Sequence, residues 1–402
     1  MKNSNSFIKF LILVIIPISS CSSDDSVKEE KEENKPVKEI VLATLKTNEA
    51  EEVDVFRATI FGEIIDNGGA SVTEHGVCYG VIENPTYDGT KKNSSSIKGS
   101  GEFKVNLGDL VAESVYYARA YGVNAKGVNY GNQISFITLS PVYPLLKVGE
   151  IKVAGAHDIF IDVELEEGDL DITELGIVYG TSVTPTIEGN KIIRDNIGQS
   201  FKQRISNLIP ETLYYIRPYV KTSQGVLYGE EISLQTIKKG DFTYSFNQNG
   251  ADAATVARIK TAFDIATTYY NNFTSIVKHV TVNYSPDTPT ADANFDGWIR
   301  VGSNSGYQKA GTAMHEMAHT VGVGTYWKYY DDLMKTSPWK GNRANEIIQM
   351  MTDDPSAVVK GDKVHFWPYG INGAHEDDGT DFLYMMNALI LQGMKEDGLP
   401  SN

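Results

Sequence analysis

The feature that most restricts how this chain can fold is an internal repeat with a period of about 100 residues. Residues 73–80 match residues 173–180 at an offset of 100 residues, and residues 116–121 match residues 214–219 at an offset of 98 residues. A repeat unit of this length has the size of a small domain. The sequence therefore predicts that one folded module occurs twice in the first part of the chain.

The pattern within each copy indicates strands rather than helices. Residues 117–121 and 215–219 alternate with a period of two, and turns rich in glycine, asparagine and proline separate such runs. This combination predicts an antiparallel β-sandwich in residues 40–139 and a second one in residues 140–238.

The repeated Tyr-Tyr-x-Arg-x-Tyr and Gly-x-x-Tyr-Gly elements resemble those of fibronectin type III-like modules, which are common in surface lipoproteins of the Bacteroidetes group. The resemblance covers residues 40–238. It implies all-β modules that serve either as spacers or as contacts to a glycan or a protein. Paired tyrosines and an arginine on one strand more often stabilise a sheet face, which favours the spacer.

The N-terminus has the features of a bacterial signal peptide. Residues 1–20 combine lysines with an apolar stretch that is too short to span a bilayer stably. The stretch ends at Ile18-Ser19-Ser20-Cys21, which resembles a lipobox. That resemblance implies that Cys21 carries acyl chains such as palmitate and becomes the first mature residue, anchoring the protein to a membrane.

The residues after this cysteine indicate where the protein is displayed. Residues 22–25 read Ser-Ser-Asp-Asp and resemble the surface-export signal of Bacteroidetes lipoproteins. Residues 21–39 are charged and poor in large apolar groups, so they are predicted to form a solvated tether. The expected location is the cell outer membrane, as a lipoprotein exposed at the cell surface.

Charge and cysteine content narrow the function further. The formal net charge of -16 argues against nucleic acid as a partner. The chain has two cysteines, and with Cys21 lipidated Cys78 has no disulfide partner. Cys78 lies in an apolar strand pattern, so it is expected to be a core residue rather than a reactive thiol.

Residues 241–402 differ in character from the repeats. Runs at 242–246, 279–284 and 298–301 read as strands, and residues 251–278 carry the spacing of a long helix. A second helix follows around residue 311, so the order is strand, helix, strand, strand, helix. Helices are also predicted at residues 343–349 and 381–395.

The second helix carries an HExxH pattern. His315 and His319 are four residues apart, so a helix places both imidazoles on one face, where they can bind one metal ion. Glu316 can accept a proton from a water that the metal activates. The flanking residues are apolar, and a buried helix with three such polar groups is costly unless a metal pairs them. Zinc is therefore the expected cofactor.

The strand order and the motif resemble zinc peptidases of the metzincin type. That resemblance implies an α+β zincin-like domain in which the last strand before the active helix, here Trp298–Val301, lies at the sheet edge and pairs with an extended peptide. Metzincins take a third histidine from HExxHxxGxxH. Gly322 is in place here, but Thr325 occupies the last histidine position.

A catalytic zinc usually has three protein ligands, so a third must come from elsewhere. The sequence leaves four sources open, namely His365, Glu346, Asp331 or Asp332, and His375. The chain also resembles a group of bacterial secreted proteins with HExxHxxGVGT, a Trp-x-Gly loop and HFWPYGxN. This second resemblance covers most of residues 241–402 and implies His365 as the ligand.

Tyr369 belongs to the same HFWPYGxN segment. Its hydroxyl is a candidate donor to the oxyanion that forms during attack on a carbonyl. A packed aromatic ring beside a proline turn is the alternative interpretation of the same residue.

These observations predict a multidomain chain with two fibronectin type III-like all-β sandwiches followed by an α+β zincin-like metallopeptidase domain in residues 241–402. The predicted function is that of a surface-anchored zinc metalloendopeptidase, which hydrolyses protein or peptide substrates with a zinc-activated water. The alternative is a non-peptidase surface lipoprotein that binds glycans for a polysaccharide-utilisation system and has a structural or vestigial metal site.

Overall fold

The computed structural model describes residues 39–95, 99–197 and 199–400. The predicted signal peptide, the lipidated Cys21 and all but the last residue of the tether lie outside them. Two compact units adjoin in sequence between Thr138 and Leu139. Each helix in the described ranges is too short or too polar to cross a membrane.

The first unit is a β-sandwich. One sheet has the order β1-β2-β5, and the other has the order β4-β3-β6-β7 with β8 also paired to β6. Its strands are β1 (Thr44–Glu51), β2 (Ala58–Asp66), β3 (Glu74–Gly80), β4 (Lys91–Asn93), β5 (Gly101–Leu107), β6 (Val115–Asn124), β7 (Gly127–Tyr130) and β8 (Ile134–Ile137). Alternate residues of β5 and β6 are buried, as period-two patterning requires, and Ile60, Val77 and Val105 are in one apolar core.

The second copy repeats this arrangement strand for strand. Its sheets have the orders β9-β10-β13 and β12-β11-β14-β15, with β16 paired to β14. The strands are β9 (Leu145–Ala154), β10 (Ile159–Glu166), β11 (Ile172–Gly180), β12 (Asn190–Ile193), β13 (Phe201–Ile205), β14 (Leu213–Thr222), β15 (Gly225–Tyr228) and β16 (Ile232–Gln235). All strand pairs in both copies are antiparallel, so the predicted sandwich class describes both.

The repeated aromatic and basic residues contact one another within each copy. The guanidinium carbon of Arg119 lies 4.3 Å from the ring centre of Tyr130, and that of Arg217 lies 4.4 Å from the ring centre of Tyr228. Both pairs join the same two strands of their copies. The repeat pattern therefore reflects packing on a sheet face, as the sequence indicated.

The C-terminal domain has a four-stranded sheet in the order β17-β18-β20-β19, covered by helices. Strands β17, β18 and β20 are parallel, and β19 is antiparallel to β20. The elements are β17 (Asp241–Asn247), α1 (Ala253–Phe273), β18 (Val277–Tyr284), β19 (Ala291–Ala293), β20 (Trp298–Val301), α2 (Ala310–Thr320), α3 (Asn342–Thr352), β21 (Lys360–Gly361), β22 (Phe366–Trp367) and α4 (Asp381–Glu396). A 3₁₀ turn, Ser305–Tyr307, and a π-helix, Tyr329–Met334, complete it.

The edge of this sheet differs from the prediction. Trp298–Val301 is β20, which lies between β18 and β19 and is not at the edge. The edge strand beside β20 is Ala291–Ala293, which lies between the predicted strands 279–284 and 298–301. Its three residues show no alternation in sequence, so the strand is defined by its antiparallel pairing with β20, in which Asp292 is opposite Arg300.

The long helix α1 is held by one buried face. Ile259, Phe263, Ala266 and Tyr270 recur at helical spacing and are almost completely buried. Asp252 caps the helix by accepting a hydrogen bond of 2.8 Å from the backbone N–H of Thr255. This helix is the platform against which α2 packs.

The second sandwich packs directly on the C-terminal domain. Val153 and Phe160, from β9 and β10, are buried in the same apolar cluster as the residues of α1, α2 and α4. The backbone N–H of Ala156 donates to the carbonyl of Asn272 at 2.7 Å. Arg204 lies 2.7 Å from Asp158 and 3.3 Å from Asp381 at the start of α4. This copy therefore forms one compact unit with the C-terminal domain.

Candidate metal centre and cleft

A cleft of about 370 Å³ opens beside α2. The apolar face of α2 packs into the core, where Met314 and Met317 are fully buried. The opposite face, with His315, Glu316 and His319, lines the cleft. The wall also includes Thr290, Ala291, Asp292, Ala293, Tyr307, Thr312, Thr325, Val364, His365, Ile371, Asn372, Gly373 and Ala374.

Three histidines converge in this cleft. His315, His319 and His365 each offer one nitrogen, and these atoms lie within 4.8 Å of one another. The Nε2 atoms of His315 and His319 are 3.1 Å apart. Two nitrogens that bind one tetrahedral zinc at about 2.0–2.1 Å are separated by about 3.3 Å, so this spacing fits the ion.

The hydrogen bonds of His315 and His319 determine which ring nitrogen of each has a lone pair for a metal ion. Nδ1 of His315 lies 3.1 Å from the carbonyl oxygen of Gly370, and Nδ1 of His319 lies 2.7 Å from that of Val323. A carbonyl only accepts, so each Nδ1 carries the proton and each Nε2 presents a lone pair. Two lone pairs facing each other at 3.1 Å repel unless a cation lies between them.

Burial reinforces the neutral state of these rings. Burial, together with the neighbouring His319, lowers the pKa of His315 to about 3. Burial also lowers the pKa of His319. A proton is therefore disfavoured as the cation between the two rings. The donor set and its hydrogen bonds fit a soft or borderline divalent metal such as zinc.

His365 comes from a segment that is distant in sequence, and hydrogen bonds hold both its backbone N–H and its backbone carbonyl. Its N–H donates to the carboxylate of Asp362 at 2.7 Å, and its carbonyl accepts from the hydroxyl of Tyr329 at 2.7 Å. The Asp362 carboxylate is also 3.7 Å from Nδ1 of His365. Asp362 therefore holds the backbone of His365 and keeps a carboxylate near its ring.

Glu316 lies in the cleft, where its Oε2 is buried and has no hydrogen-bond partner among the described residues, and the residue is 5% exposed. Burial, together with the carboxylate of Asp292, raises the pKa of Glu316 to about 8. A buried carboxylate oxygen without a donor is costly, and the structure retains it next to the histidine group. This placement suits a group that exchanges a proton with a bound water or substrate.

The turn after α2 explains the departure from the HExxHxxGxxH pattern. Gly322 and Gly324 have φ of 112° and 67°, which allows the chain to reverse and to return the carbonyl of Val323 to His319. Thr325, in the position of the third metzincin histidine, donates its hydroxyl to the carbonyl of His319. Thr325 therefore supports the turn, and the third imidazole comes from His365.

The other candidate ligands are elsewhere. Glu346 lies on α3, where its carboxylate is 3.2 Å from Arg343. Asp331 and Asp332 lie in the π-helix and are exposed there. His375 is exposed in the loop before α4. Within the described residues, none of these four joins the group of nitrogens that could bind one ion.

The placement of Tyr369 fits the alternative interpretation, a packed aromatic ring, rather than that of a donor to an oxyanion in the cleft. Its ring packs edge-on against Phe382, with ring centres 5.9 Å apart, and the residue is outside the wall of the cleft. The tyrosine that does line the cleft is Tyr307. The HFWPYG motif directed attention to Tyr369, while Tyr307 lies in a short 3₁₀ turn without a motif that could have identified it.

Two further residues position α2, and sequence reasoning missed both. Asp377 accepts a hydrogen bond of 3.0 Å from the N–H of Gly311, so a carboxylate caps the start of the helix. Tyr270 donates its hydroxyl to the carbonyl of Met314 at 2.6 Å. Asn387 lies 2.9 Å from the same hydroxyl and donates to the carbonyl of Tyr369 at 2.8 Å. The chain of contacts links α1, α2 and α4 to the segment that holds His315.

The geometry thus brings two helical histidines, a glutamate and a distant histidine together in one cleft. No known family model matches this chain, and no curated protein matches it. Among solved structures, the sensor domain of the anti-sigma factor RsgI4 of Pseudobacteroides cellulosolvens aligns at 20% identity and a TM-score of 0.20, covering 25% of this chain and 99% of that chain.

The chicken CNTN1 structure with fibronectin domains one to three aligns at 14% identity and a TM-score of 0.21, covering 49% of this chain and 69% of that chain. Both scores are too low to support an argument about this protein. The sandwich assignment therefore rests on the strand pairing, and the site rests on its own geometry.

Proposed function

We propose that residues 241–402 are a zinc-dependent metallopeptidase domain that hydrolyses peptide bonds. One observation carries the proposal: the unprotonated Nε2 atoms of His315 and His319 face each other at 3.1 Å. A nitrogen of His365 lies within 4.8 Å of both, and Glu316 lines the same cleft. His315, His319 and His365 are the residues that would hold the ion. The fit of this donor set to zinc supports the proposal more strongly than the HExxH pattern alone.

A zinc ion held by three imidazoles supplies an open position at which the pKa of a water falls to about 7 and a substrate carbonyl is polarised. Glu316 is placed to accept the proton of the attacking water at Oε2 and to deliver it to the leaving amine. The carbonyls of Gly370 and Val323 keep the Nδ1 protons on His315 and His319, which holds both rings in the binding tautomer.

Substrate alignment is proposed for the edge strand β19. Ala291, Asp292 and Ala293 line the cleft, and β19 is the last strand of its sheet. Within the described residues it pairs with β20 alone, so the backbone groups on its outer side are available to an extended peptide. We therefore assign to β19 the pairing with an extended peptide that the sequence analysis expected for Trp298–Val301.

The site of action is also part of the proposal. A lipid on Cys21 would tether the protein to the outer membrane and expose the peptidase at the cell surface. In sequence, the first sandwich lies between Cys21 and the peptidase domain. Whether either sandwich contacts a glycan stays a prediction from the repeat alone.

The decisive experiment replaces Glu316 with glutamine in the zinc-loaded protein. Glu316→Gln keeps the size of the side chain and removes the proton acceptor, so we expect peptide cleavage to fall by about 10²–10⁴-fold while zinc content stays unchanged. Glu346→Gln is the matched control, because it makes the same change on α3, and it should cleave at the wild-type rate.

Equal rates for the wild type and Glu316→Gln would refute the mechanism. A wild type that binds glycans but cleaves no member of a peptide library would instead support the non-peptidase surface lipoprotein.

A further inference from the structure

Three segments of the cleft wall contain or lead in sequence to four apolar residues, which we call the aromatic shelf: Phe295, Tyr326, Trp327 and Val364. The ring centres of Phe295 and Tyr326 are 5.0 Å apart, and those of Tyr326 and Trp327 are 5.7 Å apart. Trp327 is 59% exposed and Val364 is 40% exposed. The rings are close enough to form one surface, but the fold leaves much of that surface in water.

The shelf adjoins the cleft through three separate segments. Ala293 and Thr325 both line the cleft, and the chain continues from them to Phe295 in the β19–β20 turn and to Tyr326 after α2. Val364 lines the cleft itself and immediately precedes His365. The backbone at Gly324 passes so close to Val364 that a Cβ atom there would be 2.2 Å from the Val364 carbonyl oxygen. The segments are therefore held against each other, which fixes the shelf beside the metal centre.

The surroundings of the shelf select the kind of group that it can accept. The ammonium of Lys278 lies 5.2 Å from the ring centre of Phe295 and donates to the Phe295 carbonyl at 3.0 Å. A second cation over these rings would meet that positive charge, which disfavours lysine or arginine in a ligand. An uncharged apolar or aromatic group is stabilised by covering the rings, and the positive charge of Lys278 does not repel it.

We propose that the aromatic shelf is a specificity subsite, which binds a large apolar or aromatic side chain of the peptide substrate close to the scissile bond. This inference rests on the proposed peptidase function. A peptide extended along β19 continues past Ala293 towards Phe295, so its side chains reach the shelf without leaving the edge strand. Burial of one such side chain against the exposed ring of Trp327 then favours substrates that carry it.

The test uses the zinc-loaded protein and peptides in which one phenylalanine is moved through each position of an otherwise small, uncharged sequence. We expect one position at which phenylalanine raises kcat/KM by about tenfold or more over alanine. Trp327→Ala should abolish this preference, so that the phenylalanine and alanine peptides are cleaved with similar kcat/KM, and Trp327→Phe should retain most of it. Tyr143→Ala is the control, since this tyrosine of the second sandwich is 51% exposed and outside the cleft.

The outcomes separate the two proposals. If peptides are cleaved but phenylalanine has no advantage at any position, or if Trp327→Ala keeps the advantage, the shelf is not the subsite while the peptidase function stands. A stronger preference for a glycosylated or a basic residue at that position would also overturn the proposal. If the wild type cleaves no peptide in the series, both proposals fall. Equal melting temperatures of the variants establish that the kinetic change is not due to unfolding.

Discussion

Replacing Phe160 with alanine tests whether the second sandwich and the C-terminal domain unfold together. Phe160 lies on β10 but is 5% exposed, because the C-terminal domain covers its ring in a shared apolar cluster. Removal of a buried phenylalanine ring costs about 3–5 kcal/mol. In a unit of this size about 1 kcal/mol shifts the melting temperature by about 2–4 °C, so we expect a fall of about 6–20 °C.

Tryptophan fluorescence reports this transition selectively. All tryptophans of the chain are in the C-terminal domain, at Trp298, Trp327, Trp339 and Trp367. Loss of a side chain in the sandwich therefore moves the fluorescence transition only if the two parts are energetically coupled. Phe61 lies on β2 of the first copy and is half-buried, so Phe61→Ala is a control that removes the same side chain from the other unit.

An unchanged fluorescence midpoint for Phe160→Ala, with a separate loss of sandwich structure in the far-ultraviolet circular dichroism, would refute this reasoning. The second copy would then be an independent spacer. A lowered midpoint for Phe160→Ala and an unchanged midpoint for Phe61→Ala would establish that residues 139–402 form the smallest cooperative unit that contains the metal centre.

Three further predictions concern the metal, the buried thiol and the helix contact. His365→Ala should weaken zinc binding by at least about 100-fold in a competition titration with a chelating dye, while Glu346→Ala should leave it unchanged; equal affinities would exclude His365 as a ligand. Burial raises the pKa of Cys78 to about 11, so at pH 8 about one thiol in 1,000 is ionised. A thiol reagent should therefore label Cys78 only after unfolding, and rapid labelling of the native protein would contradict its burial. Tyr270→Phe removes the donor to the Met314 carbonyl and should cost about 1–3 kcal/mol in urea unfolding; an unchanged free energy of unfolding would show that this hydrogen bond adds no net stability.

Most of the local structure followed from patterns that act over short distances. Alternation around Tyr117 and Tyr215 predicted strands, and the spacing of Ile259 and Phe263 predicted a helix. His315 and His319 were predicted to share a helix face because their spacing matches one helical turn, and their Nε2 atoms do lie 3.1 Å apart. In each case the interacting residues are close in sequence, so the periodicity of the backbone decides their relation.

The remaining features depend on contacts between distant segments. The three-residue strand β19 exists only because it pairs with β20, and Tyr369 turns to Phe382 because α4 packs there. His365 was favoured by a resemblance, but the reversal at Gly322 and Gly324 and the anchoring of His365 by Tyr329 bring it to the other imidazoles. Local periodicity contains no information about which distant surfaces meet.

The sequence by itself therefore determined the repeated β modules, the helix that carries the histidine pair and the apolar character of that helix. Tertiary structure alone decided the edge strand that borders the cleft, the contact between the second sandwich and the C-terminal domain, and the position of the third imidazole. The physical reason is that hydrogen-bond periodicity and side-chain alternation act over a few residues, whereas edge pairing, shared burial and metal-ligand convergence depend on how the complete core packs.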